Sequence, residues 1–116
     1  MIDLLLSGLL VIAQATADLT WYDPALGGVN CDASCAHMAA GHPVADWYGR
    51  ALACPPEFPL GTRFLIAGSR WGLADGEWTC LDRGGSIVIR PDGVIRLDLL
   101  TRAPVWREEI RVEVER

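Results

Sequence analysis

No stretch of this chain holds the 3.6-residue apolar spacing of a long amphipathic helix. Short β-like runs are instead cut by Gly and Pro at close intervals. The plainest run is "EEIRVEVER" (108–116), where Ile110, Val112 and Val114 alternate with charged neighbours, the period of a half-buried strand. "LTWY" (19–22), "RALAC" (50–54) and "GTRFLIAG" (61–68) also read as strands, the last with Phe64 and Ile66 on one face. "EWTCLD" (77–82) follows turn signals at Gly72, Asp75 and Gly76. "SIVIR" (86–90) and "VIRLDLL" (94–100) flank Pro91-Asp92-Gly93, where proline presets φ and glycine accepts a positive one. Residues 25–47 are rich in Ala, Gly, His and Pro without a period, and read as a long loop with one helical turn near 36–40. Six or so short strands in 116 residues predict one all-β domain, a small barrel or sandwich.

The chain opens with "MIDLLLSGLLVIAQATA", an apolar run from Leu4 to Ile12 followed by small residues. Ala15-Thr16-Ala17 fits the A-x-A pattern of a signal-peptidase site, although the start holds Asp3 and no Lys or Arg. Residues 1–17 are therefore expected to be a signal peptide or N-terminal hydrophobic segment, with the folded domain over 18–116. The run is too short for a membrane-spanning helix, so a cleaved leader would leave no stable span. The expected location is secreted, periplasmic or cell-envelope.

Four cysteines agree with export, where thiols pair. Three connectivities are open on sequence; the expected one joins Cys54 to Cys80 between two strands and Cys31 to Cys35 as a local loop. Cys31, Cys35, His37 and His42 invite a zinc reading, but the four crowd into one short irregular loop and export favours disulfides. No metal or other cofactor is expected. Every one of the ten basic residues is Arg, and the net charge is −5. This excludes a lysine nucleophile or Schiff base and supplies no basic footprint for nucleic acid.

Two acids stand where strand-like segments would be buried: Asp82 at the end of "EWTCLD", and Asp98 among the leucines of "VIRLDLL". Asp82 either pairs internally with Arg83 or Arg96 or does chemistry; Asp98 either accepts backbone N–H groups or joins Asp82. Gly84 and Gly85 allow a sharp bend and close approach of a ligand, and equally a plain tight turn. Trp21, Tyr22, Trp47, Tyr48 and Trp71 are candidate platforms for sugar rings, while Trp78, between strand residues and beside a cysteine, is expected in the core.

Four segments in order resemble one family. "TWY" (20–22), "ALACPPEFPLGTRF" (51–64), "LDRGGSI" (81–87) and "IRLDLL" (95–100) are similar to the double-psi β-barrel domain of rare lipoprotein A, expansins and barwin-like proteins. The same fold carries the 3D domain of membrane-bound lytic murein transglycosylases. Asp82-Arg83-Gly84-Gly85-Ser86-Ile87 resembles the Asp-x-Gly-Gly-Ala-Ile loop of that last branch, whose aspartate is the catalytic acid. Cys54 stands where that branch has another acid, and Gly85 where rare lipoprotein A-like chains have proline.

The resemblance implies a small six-stranded double-psi β-barrel with a long N-terminal loop. It also implies an exported, monomeric protein acting on peptidoglycan or another cell-wall polysaccharide. Asp82 would be the acid and base of lytic transglycosylase-type cleavage, with Asp98 as second carboxylate. Trp21, Tyr22, Trp47, Tyr48, Arg83, Gly84 and Gly85 would hold substrate. For this work Asp82 is expected to be partly buried, with its pKa raised above the usual value of about 3.9. The alternative is a non-catalytic carbohydrate-binding or wall-loosening module of the expansin and barwin kind, which Cys54 in place of an acid favours. Both readings require the two aspartates to reach one open groove.

Overall fold

The computed structural model describes residues 12–26 and 36–115. Six strands close into a mixed barrel: β1 (Ile12–Tyr22), β2 (Ala51–Ala53), β3 (Arg63–Ile66), β4 (Gly76–Asp82), β5 (Ile95–Leu100) and β6 (Glu108–Glu115). Around the barrel the order is β1-β5-β2-β4-β3-β6. β1 runs parallel to β5 and β2 parallel to β4, and the remaining neighbours are antiparallel. The only helical elements among the described residues are three short 3-10 turns. No helix among them is long and apolar enough to cross a membrane.

Alternation dictates what fills the barrel. Ala17 and Leu19 of β1, Phe64 and Ile66 of β3, Leu97 and Leu99 of β5, and Val112 and Val114 of β6 point inward, with Trp78 and the Cys54–Cys80 disulfide. Trp78 satisfies its one polar group by donating from Nε1 to the Ala74 carbonyl at 2.9 Å, which lets a large ring be buried. The disulfide spans 26 positions and links the residue after β2 to the middle of β4, as expected from sequence. Closing a loop of that length stabilises the fold by about 3 kcal/mol through the unfolded chain.

Three expectations are corrected. β1 begins at Ile12 rather than Leu19, so residues 12–17 belong to the barrel wall and pair with Ile110–Glu115 of β6. A cut after Ala17 would remove six of the eight pairs of that ladder. The small residues that resemble a cleavage motif are inward-facing: Ala13, Ala15 and Ala17 lie on the core side, alternating with Gln14, Thr16 and Asp18. Second, residues 86–90 form no strand. Ile87 N–H turns back to the Gly84 carbonyl, and a single bridge, Ile89 to Ile95, remains of the expected hairpin. Third, residues 36–40 make no helical turn. Met38 N–H bonds the His42 carbonyl around Gly41, at φ +90°, and a 3-10 turn follows at Val44–Asp46.

The segment from 36 to 50 is more than a loop. It lies against the outer wall and buries Met38 and Val44 with Ala51, Leu81 and Leu100 in a second apolar cluster. Tyr22, whose hydroxyl reaches Asp82, packs against this cluster. Cys31 and Cys35, with their expected pairing, lie outside the described residues.

Candidate functional site

Strand register brings the two acids together. Asp82 pairs with Ala53, Ala53 with Asp98, and Asp98 with Thr20, one row across β4, β2, β5 and β1. Two strand spacings separate the acids, about 10 Å between backbones. On β5, Leu97 and Leu99 fill the interior, so Asp98 points outward by alternation, as do Thr20 and Tyr22 on β1. On β4 a register shift opposite Leu52 and Ala53 inserts one extra residue. It turns both Leu81 and Asp82 to the outer side, a use of bulges beside functional groups. The site thus lies on the barrel's outer wall, and both carboxyls are half-buried.

The environments of the two acids differ. Asp82 is surrounded by donors: Tyr22 Oη reaches Oδ2 at 2.8 Å, and the N–H groups of Ala39 and Arg83 reach Oδ1, each at 2.9 Å. No ion pair to Asp82 is formed by Arg83 or Arg96 among the described residues. Asp98 has one side-chain donor, Thr20 Oγ1 at 2.8 Å. Burial pushes the Asp98 carboxyl above its ordinary pKa, and the charge of Asp82 adds to the rise while the Thr20 hydrogen bond opposes it. Tyr22 is raised by burial first, then by the charge and hydrogen bond of Asp82, with a contribution from Asp98, so its phenol keeps its proton. Asp98 is therefore a carboxyl of this site that holds its proton more readily than a free one.

The expected substrate contacts divide. Tyr22 belongs to the cluster, whereas Trp21 faces the opposite side and packs against the barrel core. Arg83 turns its guanidinium inward, donating to the carbonyls of Pro55 at 2.9 Å and Cys54 at 3.3 Å beside the disulfide. Trp47 and Tyr48 flank the second apolar cluster. Arg50 stacks on Trp47 at 4.3 Å, and Arg102 on Tyr48 at 4.2 Å, while Tyr48 Oη donates to Asp23 at 2.5 Å. Burial of Tyr48, reinforced by Asp23, raises its phenol pKa.

The two glycines are unlike. A Cβ on Gly84 would meet the Ile87 side chain at 2.8 Å, so packing alone requires glycine there. Gly85 is exposed, and a Cβ would meet nothing within 4 Å, so the fold does not require its glycine.

Thr20 and the Ala39 N–H were not foreseen. Thr20 was legible: Gln14, Thr16, Asp18, Thr20 and Tyr22 alternate with apolar neighbours and share the outer face. The Ala39 amide has no sequence signal, since any non-proline residue supplies one. Comparison with protein-family models, with curated proteins and with solved structures finds no match.

Proposed function

We propose that the Asp82–Tyr22–Asp98 cluster acts on cell-wall glycan, by cleavage of the lytic transglycosylase type, in an exported double-psi β-barrel protein. Support comes from the ordered motifs at 20–22, 51–64, 81–87 and 95–100, from the Cys54–Cys80 disulfide, and above all from one observation. Two carboxyls on one register row stand in contrasting environments, Asp98 raised by burial and Asp82 held among donors. Paired acids made unlike by their surroundings are the usual means of dividing acid and base roles.

In this reading the raised Asp98 carboxyl takes the acid and base role that the motif resemblance gives to Asp82. Asp98 gives its proton to the bridging glycosidic oxygen as the C1–O bond breaks. The sugar's own C6 hydroxyl then attacks C1, and its proton returns to the Asp98 carboxylate, closing a 1,6-anhydro ring with no net proton change. Asp82 is already fixed by Tyr22 and two backbone amides, and its charge sustains the raised pKa of Asp98 while facing the positive charge that develops on the sugar.

Incubation of the purified chain with sacculi, followed by mass spectrometry, tests this. Anhydro-muropeptides are expected from the natural protein and none from Asp98→Asn; no such product from the natural protein would end the enzyme reading. A second reading, glycan binding without cleavage, draws on the three donors that tie Asp82 into the fold. It predicts retention on sacculi, cellulose or chitin with no new sugar ends.

A further inference from the structure

The turn between β3 and β4 contains the one non-glycine residue among those described that adopts a positive φ, Trp71 at φ 56°, ψ 19°. A bulky side chain there strains the backbone, and glycine would make the same turn freely. Burial does not repay the strain, since Trp71 is 77% exposed. The surrounding turn is held firmly. Asp75 Oδ1 accepts from the Ser69 amide at 2.9 Å and the Ser69 hydroxyl at 2.7 Å, and Glu108 accepts from the Arg70 amide at 3.0 Å. Trp106, from the connection before β6, is 41% exposed and meets Trp71 edge-on, with centroids 5.7 Å apart and planes at 88°. The Arg70 guanidinium lies 4.0 Å over Trp106 and 5.4 Å from Trp71.

We infer that Trp71, Trp106 and Arg70 form a second binding site, one that takes a pyranose ring of a glycan chain; this rests on the glycan reading above. Trp71, the more exposed ring, offers a flat aromatic face to the apolar C–H face of a sugar ring. Trp106 with Arg70 over it braces that ring edge-on, and the guanidinium donates to the sugar's hydroxyls or to a carboxylate substituent. Charged residues, Asp75, Arg107 and Glu108, stand beside the two rings and break up the apolar surface. The turn precedes β4 and Asp82 ends it, about 20 Å further along the strand. The site therefore engages the polymer at a distance from the bond at Asp98.

Retention of the full chain on insoluble sacculi, read by depletion from solution, tests this with Trp71→Gly, Trp106→Ala and the natural protein. Each variant is expected to bind at least tenfold more weakly. Trp71→Gly keeps a melting temperature no lower than the natural chain's, because glycine suits that φ, so its loss cannot be blamed on unfolding. Retention of both variants equal to the natural protein overturns the second site and leaves the glycan reading standing. No retention of the natural protein on sacculi, chitin or cellulose removes both. Trp71-dependent retention on phosphatidylglycerol vesicles, without retention on sacculi, would assign the surface to lipid and overturn the proposal.

Discussion

Two aspartates on the outer face of the same strand pair meet opposite fates. Asp18 of β1 is 3% exposed and is ringed by cations: Arg107 at 3.1 Å, Arg96 at 3.6 Å and Arg90 at 3.8 Å. Asp98, two register positions along the ladder, has Thr20 and the negative Asp82 nearby. Arg90 is itself shared with Asp92 and Glu109, so the first cluster is a closed ion network. A carboxyl matched by guanidinium groups is a brace. A half-buried carboxyl that faces another acid costs stability, and folds keep such groups mainly where they serve a function.

The largest expected effect is at the brace. Asp18→Ala leaves three guanidinium groups facing one another, with the Arg96 Nε already buried and without a hydrogen-bond partner. It should cost about 3 kcal/mol in chemical denaturation. Asp82→Ala follows at about 2 kcal/mol, because the amides of Ala39 and Arg83 and the Tyr22 hydroxyl lose their acceptor. An equal or larger loss than at Asp18 would make the Asp82 cluster the chief brace and erase the contrast.

Asp98→Asn should go the other way, stabilising by about 1 kcal/mol at pH 7. The sign follows from linkage. A carboxyl with a raised folded pKa contributes stability that is whole below the unfolded value of about 3.9 and fades as pH rises through the folded value. The gain from Asn is therefore full at neutral pH and gone in strong acid, as thermal melts across that range would show. A destabilised Asp98→Asn at pH 7 would return Asp98 to a structural role. The smallest effect belongs to Gly85→Ala, within about 0.5 kcal/mol of the natural chain. Lost glycan binding in that stable variant would sharpen the view that the exposed glycine admits substrate.

Much of the barrel was readable in the chain. The alternation of β6 and β3 follows from their period, and the inward Trp78 and the Cys54–Cys80 link match the expectations, the link as one of three pairings that the sequence left open. β1 was cut short because inward alanines satisfy a barrel and a cleavage motif equally well; only the polar residues between them tell the two apart. The pairing of Asp82 with Asp98 was expected, but its position on the outer wall was not. A one-residue bulge and a covering segment decide that, and neither has a local signature. Trp106 drew no notice because its partner Trp71 is distant in sequence and joins it only through the order of strands.

Because β1 lies between β5 and β6, the first strand has no neighbour until the last two exist. A nascent chain therefore carries β1 without its barrel neighbours until β5 and β6 have emerged, and closure comes in one late event that joins the first strand to the last two.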